Sequence, residues 1–234
     1  MVLPFFFEEN LSNQSTFILS EPTSKHIIQV LRMQKGEKLK ITNGRGELVT
    51  CEIIHENKKA SEVKVVARET QPQANKKVTI AISLIKNNSR FEWFLEKATE
   101  IGITEIIPML CERTEKQHFR IERMRNILIS AMLQSQQTWL PLLHSLTKIE
   151  QVIKERTDTK RFIAHCSEGS KQLLIDETIN PGSSVILIGP EGDFTKEEID
   201  AALLKNFIPV SLGTTRLRTE TAGIVAAVIA KYAV

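Results

Sequence analysis

The sequence predicts an α/β protein: a parallel sheet covered on both faces by helices, preceded by a small β-barrel domain. Three observations carry this. Beyond residue 77, apolar runs of strand length alternate with helix-length amphipathic segments, the pattern of successive βαβ units. Before residue 70 the apolar pattern has period two instead, with tight-turn residues between its runs. Between the two regimes lies TQPQANKK (Thr70 to Lys77), polar and proline-containing, which reads as a linker and divides the chain into 1–72 and 73–234.

In the first part, STFILS (Ser15 to Ser20) is strand-like. SKHIIQVLRM (Ser24 to Met33) is a short helix carrying Ile27, Ile28, Val30 and Leu31. KLKITNGRGELVTCEIIHEN alternates apolar and polar residues on both sides of Asn43-Gly44, a strong hairpin signal, and SEVKVVARE supplies a further alternating strand. Gly44-Arg45-Gly46 is read as the hairpin turn rather than as a dinucleotide motif.

In the second part, VTIAISLI is a continuous apolar run, as expected of a strand buried on both faces. SRFEWFLEKATEIG is an amphipathic helix with Gly102 as its stop signal. ITEIIPML is a strand, IERMRNILISAMLQSQQTW a long helix and TKIEQVIKER another helix. Then follow the strand RFIAHC, the helix KQLLIDE and the strand SVILIG. Thr195 and Glu198 form a capping-box pattern that starts the helix TKEEIDAALLKN. The strand IPVSLG and the helix ETAGIVAAVIAKYA complete the order. Trp93 and Trp139 fall at helical apolar spacing and are expected in the core. The last helix lacks a polar face, so burial is expected for it, in a subunit interface.

Composition narrows the function class. Of 234 residues, 41% are hydrophobic and 25% charged, ordinary for a globular chain with a sizeable core. A net charge of only +3 gives no bulk-charge case for nucleic-acid binding, so any basic surface must be local. The three cysteines, Cys51, Cys111 and Cys166, are far apart and odd in number, which argues against a disulfide framework and a zinc site and for a reducing, cytoplasmic setting. MVLPFFFEEN is too short and too soon acidic for a signal peptide, and no apolar run reaches membrane-spanning length. His26, His55, His118, His144 and His165 are scattered, and no metal site is expected.

Two C-terminal turns concentrate the chemistry. LIGPEGDFTKEEID (Leu187 to Asp200) has the strand–glycine–helix layout of a phosphate cradle, yet it places Glu191 and Asp193 in the turn and has no Walker-type lysine. An anionic phosphate would be repelled there. Gly189 and Gly192 around Pro190 imply a constrained backbone and a close approach, while Asp193 and Thr195 are read as helix caps. One helix and one strand later comes VSLGTTRLRTETAG (Val210 to Gly223). Thr219 or Thr221 suits an N-cap and Glu220 the helix dipole, but Arg218 opposes that dipole, which points to a functional role.

The order strand–GPEG–helix–strand–LG–x–LRTETA closely resembles the cofactor-binding region of the SPOUT methyltransferases, and within them the RsmE family of 16S ribosomal RNA (uracil-N3)-methyltransferases. The resemblance extends to HIIQVLRM in the first part and to FEWFLEKATEIGITEIIPMLCERT, with Lys97, Glu100, Gly102, Pro108 and Arg113 at motif positions. It reaches AMLQSQQTWLP more loosely. Asp193, Thr215, Ser130 and Gln137 differ from the residues common in that family.

The resemblance implies a PUA-like barrel for RNA at 1–72 and a SPOUT trefoil-knot methyltransferase domain at 73–234. S-adenosylmethionine (SAM) would lie against Leu187, Ile188, Gly189, Pro190, Glu191 and Gly192, and against Leu212, Gly213, Leu217, Arg218, Thr219, Thr221 and Ala222. SAM presents a sulfonium cation and no phosphate, so an acidic glycine turn suits it. Arg218 and Glu220 are the candidate catalytic residues, Arg218 to stabilise charge on the uracil carbonyls; Glu191 and Glu220 are by charge the candidates for a general base, each with a structural role open to it as well. Arg32, Lys35, Arg113 and Arg120 are candidate contacts to RNA phosphates, and Lys116 belongs to the same interrupted basic cluster. The implied partners are the 16S rRNA of the 30S subunit and a second copy of the chain. Two alternatives stand beside this: another SPOUT RNA methyltransferase acting on the ribose 2′-oxygen, and a non-catalytic RNA-binding protein.

Overall fold

The computed structural model of the protein describes residues 3–115, 117–177 and 182–233. The chain falls into two compact units, residues 1–73 with 132–140, and residues 74–131 with 141–234.

The first unit holds strands β1 (Phe5–Phe7), β2 (Thr16–Ile18), β3 (Lys38–Thr42), β4 (Glu47–His55) and β5 (Glu62–Thr70) in one sheet of order β1-β3-β4-β5-β2. Period-two alternation turns Leu39, Ile41, Val49, Cys51, Ile53 and Val63 to one side, where all are fully buried. The β3–β4 hairpin turns where the sequence indicates: Asn43 Oδ1 accepts from the Arg45 N–H at 2.9 Å, and Asn43 Nδ2 donates to Glu47 Oε2 at 2.9 Å. Gly46, at φ 86°, has no room for a side chain, since a Cβ would lie 2.5 Å from the Trp139 ring. Trp139 Nε1 donates to the Gln71 carbonyl at 3.0 Å, so this tryptophan packs on a turn instead of on a helix face.

Helix α1 (Glu21–Lys25) starts at Ser20, whose side chain accepts from the Thr23 N–H, and has Pro22 in its first turn. The chain continues through His26–Val30 in wider i→i+5 turns, with the Leu31 N–H donating to the His26 carbonyl at 3.0 Å. Ile27 is buried there, and the segment ends at Arg32, φ 54°.

The second unit is a parallel sheet. Its strands are β6 (Lys76–Ser83), β7 (Glu105–Leu110), β8 (Leu142–Leu143), β9 (Thr147–Lys148), β10 (Lys160–Ala164), β11 (Gln172–Leu173), β12 (Gly182–Ile188) and β13 (Ile208–Ser211). They run in the order β11-β13-β10-β12-β6-β7-β8, with β9 also on β7. The helices are α2 (Asn88–Ile101), α3 (Ile121–Gln134, its last turn belonging to the first unit), α4 (Ile149–Glu155), α5 (Lys196–Leu204) and α6 (Thr219–Tyr232). Ala81, Ile107, Met109, Ile163, Val185, Leu187, Phe194 and Phe207 form one core on the sheet. Gly102 closes α2 in the left-handed conformation at φ 82°, as its sequence position implies. α6 packs on α2 and β6 through Gly223, where a Cβ would meet the Phe94 ring at 2.7 Å and Ile82 Cδ1 at 2.9 Å.

Three expectations are corrected. KQLLIDE is not a helix: Gln172–Leu173 pairs as an edge strand with β13, and Leu174–Asp176 makes one tight turn that buries Leu174 alone. The long helix stops at Gln134, because Gln136 enters the left-handed region at φ 56° while the Gln137 N–H reaches back to the Met132 carbonyl at 3.0 Å. Trp93 is 44% exposed on α2, so it is not a core residue.

Candidate functional site

Sheet topology creates the site. β12 lies between β6 and β10, and β13 lies on the far side of β10, so the chain passes over β10 on its way from β12 to β13. The carboxyl ends of three adjacent parallel strands therefore release their loops side by side, the place where open α/β sheets bind ligands. Two adjoining cavities of about 330 and 410 Å³ open there, within the size range of small-molecule sites. They share Ala164, Cys166, Arg216, Leu217 and Ala222 as common wall.

The smaller cavity is lined by Ile188, Gly189, Pro190, Glu191, Asp193, Arg218 and Thr219. The acidic turn is held rigidly. Asp193 sits at φ 64°, its Oδ2 accepting from the Cys166 N–H at 2.8 Å and its Oδ1 from the Phe194 N–H at 2.9 Å. An aspartate thus takes the left-handed position and joins this turn to the loop after β10. A Cβ on Gly189 would meet the Phe194 ring at 3.1 Å, and one on Gly192 would meet Arg113 Cδ at 3.3 Å. The close approach expected at the two glycines is made by the protein's own side chains. Arg113 Nη1 donates to the Gly192 carbonyl at 2.7 Å and to the Phe194 carbonyl at 3.4 Å, a bracing position.

Glu198 braces the same turn from α5. Its Oε2 accepts from the Thr195 N–H, closing the capping box, and its Oε1 accepts from the Glu112 N–H, both at 2.8 Å. Glu191 Oε1 accepts from the Lys86 N–H at 3.2 Å. The turns after β12 and β13 are linked directly, since Thr219 Oγ1 donates to the Gly189 carbonyl at 3.1 Å.

The larger cavity is lined by His165, Lys171, Ser211, Leu212, Gly213, Thr214 and Thr215 besides the shared wall. Ser211 Oγ donates to the Gly213 carbonyl at 2.9 Å and accepts from its N–H at 3.3 Å, setting the turn. Lys171 Nζ donates to the carbonyls of His165 and Ser167 at 2.9 and 2.7 Å, curling the loop after β10 over the strand end.

Of the candidate cofactor residues, Ile188 to Glu191, Leu212, Gly213, Leu217 to Thr219 and Ala222 line the cleft. Leu187 is fully buried in the sheet below, Gly192 faces Arg113, and Thr221 lies outside the lining. Glu220 is buried, with Oε1 3.7 Å from Arg90 Nε, while the exposed side chain of Arg218 has no hydrogen bond or ion pair among the described residues. Arg218 is also the N-cap residue of α6, with no side-chain cap. Sequence reasoning missed His165, Cys166 and Lys171; the one signal was that RFIAHC ends an apolar strand in polar residues.

Among the RNA candidates, Arg32 and Lys35 are exposed on the first unit, the Lys35 N–H donating to Glu56 Oε1 at 2.6 Å. Arg120 Nε contacts His118 Nε2 at 3.1 Å on the second unit. Lys116 lies outside the described residues. Among the described residues no group of three or more His, Cys, Asp or Glu is arranged to hold a metal, and no helix is long and apolar enough to cross a membrane.

The family model described as an RNA methyltransferase domain matches residues 72–231, and that of an RNA methyltransferase PUA domain matches residues 19–66. The chain belongs to this RNA methyltransferase family. It is α/β in fold, with an N-terminal PUA-like domain and a C-terminal methyltransferase domain. It is 36% identical to the probable rRNA-methyltransferase of Porphyromonas gingivalis, at a TM-score of 0.88 and covering 96% of this chain and 95% of that one. The ribosomal RNA small subunit methyltransferase E of Neisseria gonorrhoeae, solved bound to S-adenosyl methionine, is 27% identical with a TM-score of 0.85, covering 97% of this chain and 95% of that one. A relative of the same name from Rickettsia conorii is 27% identical over 94% of this chain and 91% of its own length.

Proposed function

We propose that the protein is a SAM-dependent enzyme that methylates N3 of a uridine in the decoding region of 16S ribosomal RNA, on the assembled small subunit in the cytoplasm. The observation that carries this reading is the cleft at the ends of β10, β12 and β13, where an acidic, phosphate-repelling glycine turn shares a cavity with the uncommitted cation Arg218. Membership of an RNA methyltransferase family supports the reaction class. Relatives named for small-subunit ribosomal RNA support the substrate, and a similar structure bound to S-adenosyl methionine supports the cofactor. N3 as the target atom rests on the resemblance of LRTETA and HIIQVLRM to the uracil-N3 enzymes.

The residues fit the cofactor. Glu191 and Asp193 suit a cationic ligand, the two cavities are of small-molecule size, and His165 Nδ1 is a buried polar atom without a partner among the described residues. The turns Gly189–Gly192 and Leu212–Leu217 would hold it through their backbone groups. Bound there, SAM supplies an electrophilic methyl group.

The remaining work falls to the chain. Uracil N3 lies on the Watson–Crick edge, so the base must be unpaired or flipped out to reach the cleft. The N3 proton must leave, and negative charge spreads onto the uracil carbonyl oxygens. We assign the stabilisation of that charge to Arg218, whose uncommitted cation lines the smaller cavity. Glu220, paired with Arg90, secures the first turn of α6 and so the position of Arg218 beside it. Residues 1–72 would grip RNA through Arg32 and Lys35, and 73–234 would form the catalytic domain, acting as a homodimer.

The test is labelled-methyl transfer from SAM to unmodified 30S subunits, with naked 16S rRNA and tRNA alongside and the product nucleoside identified. N3-methyluridine formed in 30S subunits is the expected result. Ribose methylation or labelling of tRNA would overturn the substrate assignment, and absence of SAM binding would overturn the reading as a whole.

A further inference from the structure

A buried ring nitrogen of histidine needs a hydrogen-bond partner, and one that lacks it in the free protein marks where a ligand atom belongs. His165 Nδ1 is such an atom, out of contact with water and without a partner among the described residues. Two neighbouring donors are engaged elsewhere. Lys171 Nζ donates to the carbonyls of His165 and Ser167, and the Cys166 N–H donates to Asp193 Oδ2. His165 also lines the larger cavity, beside Ser211 and Leu212.

We propose that His165 Nδ1 accepts a hydrogen bond from an uncharged donor on the adenosine half of the cofactor, either the exocyclic amine or a ribose hydroxyl. This rests on the SAM-dependent reading above. Charge separates the two halves of the ligand. The sulfonium and ammonium cations both belong to the methionine half, and the carboxylates of the cleft, Glu191 and Asp193, line the smaller cavity. Arg216 and Leu217 belong to both cavities; the larger one adds Lys171 and has no carboxylate in its wall, which disfavours those cations, while Val210 and Leu212 offer apolar surface to a purine.

Lys171 and Arg216 are donors only, so they leave a nucleoside's own N–H and O–H groups unmatched; an imidazole nitrogen is the uncharged acceptor that completes the set. Burial and the nearby Lys171 ammonium, opposed by Asp193, hold the imidazole below its ordinary pKa, which keeps the ring uncharged, and in its Nε2–H tautomer Nδ1 carries the lone pair.

The test is calorimetric titration of the full-length protein with S-adenosylhomocysteine and with 5′-methylthioadenosine, which keeps the nucleoside but lacks the amino-acid group. His165→Phe should weaken both ligands about tenfold, the loss expected of one buried hydrogen bond. His165→Asn, whose amide can occupy the Nδ1 position, should stay within about threefold of wild type. Unchanged binding of 5′-methylthioadenosine by His165→Phe overturns the proposal, whether or not S-adenosylhomocysteine weakens. Failure of the wild type to bind S-adenosylhomocysteine overturns the SAM-dependent reading beneath it. If His165→Phe does not fold, wild type is titrated with 5′-methylthioadenosine analogues lacking the amine or one hydroxyl in turn. At least one deletion should cost about tenfold, and tolerance of all of them overturns the assignment.

Discussion

Thr219 Oγ1 donates to the Gly189 carbonyl oxygen at 3.1 Å, tying the first residue of α6 to the end of β12. This bond links the two turns that wall the smaller cavity. Thr219→Val keeps the shape of the side chain and strands the Gly189 carbonyl, at a cost of about 1–3 kcal/mol. The variant should unfold at lower temperature and bind SAM about tenfold more weakly, whereas Thr219→Ser should do neither. Calorimetry and thermal unfolding check both. Wild-type affinity in the valine variant would show that the cofactor does not depend on this tie.

Arg218 contributes its backbone carbonyl to α6, accepting from the Ala222 N–H at 2.8 Å, while its side chain is uncommitted among the described residues. Arg218→Ala should therefore preserve the helix. Methyl transfer should fall by about 100-fold or more, the usual loss when a charge-stabilising group is removed, with SAM affinity within about threefold of wild type. Parallel loss of transfer and of SAM binding would make Arg218 a cofactor ligand instead.

Arg32 is exposed, in the left-handed backbone conformation just past the His26–Val30 turns. A phosphate contact here predicts a sequence-independent effect. Arg32→Ala should weaken binding of unmodified rRNA and lower the slope of log affinity against log salt by about one, with SAM binding unchanged. An unchanged salt slope would remove Arg32 from the RNA surface.

What was legible in the sequence was what local chemistry decides. The Thr195–Glu198 capping box, the Gly102 stop and the Asn43-Gly44 turn each depend on a few neighbouring residues, and each is present. Misreadings arose where distant parts decide. KQLLIDE has helix-forming composition, but pairing of Gln172 and Leu173 with β13 makes it an edge strand and leaves Ile175 59% exposed. The end of α3 was hidden because a glutamine, Gln136, takes the left-handed place where glycine is the usual signal. Within the site, the glycine turns were readable from their spacing, yet His165 was not. Its unpaired nitrogen becomes visible only when the loop after β10 lies between those after β12 and β13.

Gly223 allows α6 to lie against α2 and β6. A Cβ there would stand 2.7 Å from the Phe94 ring and 2.9 Å from Ile82 Cδ1, and both side chains are fully buried. Gly223→Ala should destabilise by about 1–3 kcal/mol despite the better helix propensity of alanine. Thermal or denaturant unfolding measures this, and a variant as stable as wild type would show that the α2–α6 contact is more compliant than its geometry implies. Because Arg90 and Glu220 join the same two helices at 3.7 Å, the shift should also reduce methyl transfer.

The last prediction concerns acid. Glu105 Oε2 lies 3.1 Å from His144 Nε2 and accepts from Arg156 Nη1 at 2.9 Å, and Arg156 also binds Asp158 through two further hydrogen bonds. The His144 hydrogen bond, with Arg156 adding to it against the opposing effect of burial, holds the Glu105 carboxyl down to about 2 from its ordinary 4.5. A depressed carboxylate stabilises the fold at every pH above its unfolded value, and that contribution disappears as pH falls from about 4.5 toward about 2. The gap corresponds to an upper limit of about 3 kcal/mol, and screening of a side chain that is 24% exposed reduces the expected effect to about 1–2 kcal/mol. Glu105→Gln should lose about that much at pH 7 and show a flatter decline in stability between pH 4.5 and 2. An unaltered acid limb in the glutamine variant would assign the acid sensitivity of the sheet to other carboxylates.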